Sequence, residues 1–535
     1  MHGRRFLMGM RAIGLGLVLA CWGWTAAADE RPNLVVIMAD DMGYSDIGCY
    51  GGEIETPNLN RLAAEGMRFS QFYNNAKCAP TRASLLTGRY AQQVGCHNDP
   101  VKMVNCLTFA EVLRPAGYST YMAGKWHAEE LPTERGFDRY YGLTDGCCNY
   151  WNPGEQRDGE PKPAEKNYPR KWSRDGEVMR PYTPEDKDFY TTDAFTDFAV
   201  DTLKAHDTAK PFLLYLAYTA PHYPLQAPEE VIAKYRGKYR IGWDTLREQR
   251  HARQLDMGLL NPAWALSPRD PNVAPWVSVT EASAWNLEGL RGRREENLPW
   301  EHARDADLWD LKMAVYAAMV DRMDQNIGRV LAQLEAMGAM DNTLILFLSD
   351  NGGCAETRND TPDVPPGPVN SYRSVDPPWA NAQNTPFRLY KRYLMEGGIS
   401  TPLIAHWPGH IEAGAITHAA GHLIDVLPTL VEAAGATYPA DAPANEGRSL
   451  LPVMTGASAG DDREIFWNFG SDAAMRQGKW KLVHGLREPW QLYDMQADRT
   501  ELHDVAAAHP ERVQAMTDAW ENWARKVGVE VRKHD

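Results

Sequence analysis

Three short apolar runs, each ending abruptly in a polar cluster, constrain this chain more than any other feature. Asn33 to Ala39 reads NLVVIMA and stops at Asp40-Asp41-Met42-Gly43. Thr343 to Leu348 reads TLILFL and stops at Ser349-Asp350-Asn351-Gly352-Gly353, and Pro211 to Thr219 reads PFLLYLAYT before Ala220-Pro221-His222. Unbroken apolar runs of this length, rich in branched side chains, predict strands buried on both faces, as in a parallel sheet covered by helices. Helical spacing between them, at Leu59 to Gly66, Phe109 to Gly117, Ala194 to Ala205 and Leu311 to Met337, supplies the covering layers. The alternation predicts an α/β/α sandwich around a large mixed, mostly parallel sheet, with ligands gathered at the carboxyl ends of its strands.

Beyond about Gly456 the pattern changes. Short strands at Glu464 to Phe469, Ala474 to His484 and Trp490 to Met495 precede a helix from Pro510 to Lys526, which predicts a smaller antiparallel sheet with one helix. The expected division is a leader over 1–28, a catalytic α/β domain over 29–455 and a C-terminal subdomain over 456–535. The segments Gly146 to Pro184 and Pro362 to Pro378, rich in Gly, Pro or charge, read as surface excursions.

The leader is an export signal by composition. Arg4, Arg5 and Arg11 precede an apolar run from Ala12 to Trp24 that is too short to span a bilayer, and Ala26-Ala27-Ala28 offers small-residue cleavage. The protein is therefore expected to be exported, periplasmic or secreted, with no stable membrane span. Cys21, in Val18-Leu19-Ala20-Cys21, is the less favoured alternative, as a lipid anchor. A formal net charge of -15 argues against a nucleic-acid partner, since docking a polyanion needs a broad basic face. Eight cysteines in an exported chain permit disulfides, but spacing does not fix their pairing.

The polar clusters suggest chemistry. Asp40, Asp41, Asp350 and Asn351 offer hard oxygen ligands without an accompanying Cys/His set, which suits calcium or magnesium better than zinc. Taken singly, each pair is also an ordinary turn or helix cap. Cys78 opens the run CAPTRASLLTGR, and alone would be a buried thiol.

Six motifs in order, NLVVIMADDMG, CAPTRASLLTGRY, MAGKWH, APHYPLQAP, FLSDNGG and FRLYKRYLMEGG, make the chain resemble the type I, formylglycine-dependent sulfatases of the alkaline phosphatase superfamily, and bacterial arylsulfatases in particular. The resemblance implies that Cys78 is oxidised to formylglycine by a maturation enzyme. It also implies that one Ca2+ is held by Asp40, Asp41, Asp350, Asn351 and the modified Cys78. Arg82 would hold the modified residue and orient the cation site, with Lys125, His127, His222 and Lys391 around the sulfate: His222, protonated, as general acid and His127 as base. His97, His406, His418 and His422 belong to no such motif and are expected to be structural, and Asp425 to cap or anchor a helix.

The implied activity is hydrolysis of aryl or carbohydrate sulfate esters. Two alternatives stay open: a phosphodiesterase or phosphonate monoester hydrolase on the same fold, and a catalytically silent protein that binds sulfated glycans.

Overall fold

The computed structural model describes residues 31–97, 100–165, 169–271, 273, 306–457, 463–485 and 488–531. The expected leader, with Cys21, lies outside the described residues. Among them, no helix is long and apolar enough to cross a membrane.

Ten strands form one sheet: β1 (Asn33–Ala39), β2 (Met67–Tyr73), β3 (Ser119–Gly124), β4 (Arg139–Leu143), β5 (Trp172–Arg174), β6 (Glu177–Met179), β7 (Phe212–Ala217), β8 (Thr343–Ser349), β9 (Ser400–His406) and β10 (Ala415–His422). Their order is β10-β2-β9-β8-β1-β7-β3-β4-β5-β6. The central run β8-β1-β7-β3-β4 is parallel throughout, while β9 and the β5–β6 edge join antiparallel.

Both faces of this sheet are covered, as unbroken apolar strands require. Val35 and Ile37 point into one core with Met313 to Leu334 of the helix Ala306–Ala336 and Phe195 to Leu203 of the helix Thr191–Lys204. Leu34, Val36 and Met38 point into the other, with Leu85, Phe109, Leu113 and Leu427. The pleat alone divides neighbouring residues between the two layers.

A second sheet comprises β11 (Glu464–Phe469), β12 (Asp472–Gln477), β13 (Trp480–His484) and β14 (Gln491–Asp494), paired antiparallel in sequence order. One face packs Phe466, Met475 and Leu482 on Trp520 and Trp523 of the helix Pro510–Val527. The other packs Ile465, Trp467, Ala474 and Val483 against Leu389, Leu394 and Met395.

Three expectations need correction. Pro362 to Pro378 is not wholly a surface excursion, since Ser371 to Pro378 is buried and Asp376 opens the helix Asp376–Gln383. Ala474 to His484 is not one strand, because Gly478, at φ 56°, turns the chain between β12 and β13. Gly146 to Pro184 is not wholly a surface excursion: Trp172 is fully buried in β5, and β5–β6 extends the sheet through a hairpin at Asp175-Gly176. The described cysteines, Cys49, Cys78, Cys96, Cys106, Cys147, Cys148 and Cys354, are free thiols.

Candidate active site

Register brings the polar clusters together. Ala39 pairs with Ser349 across β1 and β8, and Gly124 with Ala217 across β3 and β7, so these parallel strands end level. The residues that follow emerge side by side: Asp350 and Asn351 after β8, Asp40 and Asp41 after β1, His222 beyond β7 and Lys125 after β3. Asp41 turns at φ 65°, and its backbone N–H donates to Asp350 Oδ1 at 3.0 Å.

The helix Cys78–Thr87 starts at this tip line, with every residue buried, and ends where Gly88 takes φ 64° and donates to Ser84 O. Its amino end faces the cluster, where a helix favours negative charge. Arg82 follows Cys78 by four residues and so shares its face. Arg82 Nη2 lies 2.9 Å from Asp350 Oδ2 and 3.8 Å from Asp40 Oδ2, and its Nη1 donates to Lys125 O at 3.0 Å.

Three carboxylates and three cations interlock here, all of them buried. Lys125 Nζ donates to Asp40 Oδ2 at 2.6 Å. Lys391 Nζ lies 2.7 and 2.9 Å from the two Asp41 oxygens, and Asn351 Nδ2 donates to Asp41 Oδ1 at 2.7 Å. Burial disfavours both ammonium groups, but the anionic neighbours together, Asp40 first among them for Lys125 and Asp41 for Lys391, outweigh it, and both stay protonated above the ordinary lysine value. Burial, then Asp350, push Asp40 well above the usual carboxylate range. Burial likewise raises the Cys78 thiol, against the pull of Lys125 and Lys391.

Two oxygens are left over. Asp40 Oδ1 and Asn351 Oδ1 are buried with no hydrogen-bond partner. A buried acceptor without a donor is costly, and a hard divalent cation ligated by these atoms removes that cost. Ligand atoms of Asp40, Asp41 and His222 lie within 4.8 Å of one another. The carboxylate and amide oxygens of Asp40, Asp41 and Asn351, with the His222 ring beside them, therefore offer a donor set that fits a metal ion.

His127 takes φ 67° beyond Lys125, and its Nδ1 is buried without a partner. Burial first, then Lys125, Arg82 and Lys391, hold the ring well below the ordinary histidine value, so it is neutral, the form a base requires. His222 differs from expectation. Its Nδ1 bonds Tyr223 O at 2.6 Å, which leaves Nε2 facing Asp41 Oδ2 at 3.4 Å. Burial lowers its pKa to about 3, Asp41 offsetting only part of this, so the ring is neutral here rather than protonated.

All ten residues expected at the site thus meet at the carboxyl ends of the central strands. A cavity of about 490 Å3 opens onto Cys78, His127, His222 and Lys391. Its outer wall adds residues the sequence did not single out, among them Glu129, Asp145, Lys171, Glu356 and Arg358. Tyr223 donates to Glu356 Oε2 at 2.7 Å, and Arg358 lies over the Tyr223 ring at 5.5 Å. Tyr223, next to His222, and the excursion from Gly146, which carries Lys171, were the available pointers to this group.

The sulfatase family model matches residues 32–436, which include every one of these strand tips. The chain belongs to the sulfatase family. It is accordingly a sulfuric ester hydrolase. A second family model, the C-terminal region of N-sulphoglucosamine sulphohydrolase, matches residues 387–524. An arylsulfatase of Klebsiella aerogenes is 35% identical over 79% of this chain and 91% of its own length. An uncharacterized sulfatase of Schizosaccharomyces pombe is 32% identical over 94% of this chain and 95% of its own. Among solved structures, Ps i-CgsB in complex with k-i-k-neocarrahexaose is 27% identical, with a TM-score of 0.66 over 92% of this chain and 93% of that one.

Proposed function

We propose that this sulfatase removes sulfate from a sulfated carbohydrate, using a formylglycine made from Cys78 and one calcium ion held by Asp40, Asp41, Asp350, Asn351 and the modified residue. The observation that carries the reading is the single cavity onto which Cys78, His127, His222 and Lys391 all open.

The wall favours a sugar over an aryl group. Glu129, Asp145, Lys171, Glu356 and Arg358 present donors and acceptors suited to hydroxyls. The aromatic ring at hand, Tyr223, has Arg358 over it. The solved structure of Ps i-CgsB in complex with k-i-k-neocarrahexaose supports the same choice.

Formylglycine and calcium, when present, supply a hydrated-aldehyde nucleophile and a Lewis acid. The chain's own side chains do the rest. Lys125, Lys391 and Arg82, fixed before substrate arrives, oppose charge on the sulfuryl oxygens, which is the electrostatic task worth most in such sites. Neutral His127 accepts a proton from the residue at position 78. His222 holds its proton at Nδ1 against Tyr223 O, so Nε2 is the atom that faces the departing oxygen. An anionic ester beside that ring raises its pKa, so the acid form arises with substrate rather than before it.

The leader-like segment supports export to the periplasm or beyond, and a maturation enzyme would act on Cys78 before or during passage. We assign 29–455 to catalysis and 456–535 to a C-terminal subdomain.

The test is turnover of a panel of sulfated saccharides, aryl sulfates and phosphonate monoesters by protein whose Cys78 peptide has been weighed. Conversion to the aldehyde should lighten that peptide and abolish its reaction with thiol reagents, and a sulfated saccharide should show the highest kcat/KM. Preference for the phosphonate, or normal multiple turnover by Cys78→Ser, contradicts the reading.

A further inference from the structure

The loop from Arg388 to Glu396 lifts Lys391 to Asp41, and it does so in an unfavourable backbone form. Leu389 at φ 62° and Arg392 at φ 80° flank the lysine in the left-handed region. Residues with a Cβ hold such angles only where the surroundings enforce them.

Local bonds hold the middle of the loop, Lys391 N–H to Gly353 O at 3.1 Å, Arg392 N–H to Ala76 O at 2.7 Å and Asn384 Nδ2 to Leu389 O at 3.1 Å, while the far end of the chain holds its two ends. At one end of the loop, Arg388 Nη1 donates to Glu501 O at 2.7 Å. At the other, Glu396 N–H donates to Glu501 Oε2 at 2.8 Å. Lys481 Nζ, from β13, bridges the two carboxylates, at 2.8 Å from Glu396 Oε1 and 2.7 Å from Glu501 Oε1. Arg499 Nε and Tyr73 OH complete Glu396 Oε2, each at 3.0 Å.

Glu396, Lys481, Arg499 and Glu501 are all fully buried. An apolar seam, Leu389, Leu394 and Met395 against Trp467 and Val483, already joins the loop to the second sheet. Adhesion alone does not need four buried charges, since an apolar replacement is often as stable. Directional bonds to both ends of one strained turn fix a geometry.

We propose that Glu501 and Lys481, with Arg388, are positioning residues that hold Lys391 in register with Asp41, so that the C-terminal sheet completes the active site from behind. This rests on the reading of Lys391 as a sulfate-binding cation. None of the three touches the cavity, so each acts through the loop.

The test uses the full chain bearing formylglycine. Arg388→Met, at a half-buried position where no charge is left stranded, and Lys481→Met should each lower kcat at least tenfold, and Arg388→Lys should restore most of the Arg388→Met loss. In a Lys391→Ala background, Arg388→Met should cost less than a further twofold. A Leu492→Ala variant, which loosens the same sheet on its helix side, should stay within twofold of the parent enzyme. Should Lys481→Met fail to fold, the Arg388 pair carries the test.

Hydrogen exchange gives a second readout that needs no turnover: amides of 388–396 should exchange at least tenfold faster in Arg388→Met while those of β1 and β8 do not change. If the parent protein hydrolysed no sulfate ester, the functional reading would fail and exchange alone would judge the clamp. Unchanged exchange, an equal loss of kcat with and without Lys391, or a matching loss in Leu492→Ala overturns the proposal.

Discussion

Lys125 and Asp40 meet at 2.6 Å, Nζ to Oδ2, with neither side chain exposed to solvent. The lysine follows β3 and the aspartate follows β1, strands separated in the sheet by β7. The contact therefore spans one intervening strand and ties two strand tips into one electrostatic unit.

Removing the ammonium group should be felt twice. Lys125→Ala is expected to lower kcat by about 10²–10³, the usual effect of losing one preorganised donor to developing charge. It should also destabilise the fold by about 3–5 kcal/mol, because Asp40 loses its closest buried partner. Steady-state kinetics and denaturant unfolding measure the two separately, and a kcat within twofold of the parent removes Lys125 from the sulfate site.

The partnerless oxygens of Asp40 and Asn351 make a prediction about metal. Chelation should lower Tm, and calcium should restore it in a saturable way, with a gain of about 2.7 kcal/mol at a hundredfold excess over Kd. Asn351→Leu should weaken that response by losing Oδ1, and should cost folding stability through the lost bond to Asp41. A Tm indifferent to chelator and calcium would remove the cation from the account.

Gly146 leaves room for the base. A Cβ built there falls 2.9 Å from His127 Nε2, closer than real Cβ atoms approach, and a tight 3.1 Å from Cε1. Gly146→Ala should displace the ring and lower kcat at least tenfold while leaving calcium-dependent stabilisation intact. Parallel loss of both would place the glycine's role in folding instead.

Much of this site was legible because its residues sit at the ends of apolar runs. NLVVIMA matches β1 residue for residue, and parallel pairing in register turns such ends into neighbours. The hairpins were less legible. β12 and β13 run on in the sequence as AMRQGKWKLVH, mixed in polarity throughout, and the turn at Gly478 divides them. The Asp175-Gly176 turn behind Trp172 was a readable signal, of the kind that joins two paired strands. The protonation of His222 was not legible at all, since it depends on burial and then on Asp41 and Lys391, both distant in sequence. The same holds for the Glu396–Lys481 bond, which joins residues 85 apart.

His422 predicts how stability responds to acid. The ring is fully buried, its Nδ1 accepts from Ile424 N–H at 3.3 Å, and its Nε2 has no partner. Burial first, then Arg463, hold its pKa well below the ordinary value. In the unfolded chain the ring titrates near about 6.5. Above that pH neither state binds the proton, and the native state has its full stability. As pH falls below it, the unfolded state takes up a proton that the folded ring refuses, and stability drops by up to about 1.4 kcal/mol per pH unit. His422→Asn keeps an acceptor for Ile424 but removes the titration. At pH 8 the variant should be the less stable, having lost the ring's contacts with Tyr90 and Trp467. Between pH 6.5 and pH 5 the gap should narrow, because the parent loses stability there that the variant does not. Denaturant unfolding at pH 8, 6.5 and 5 measures it, and a gap that holds constant or widens toward acid would show that the buried ring accepts the proton after all.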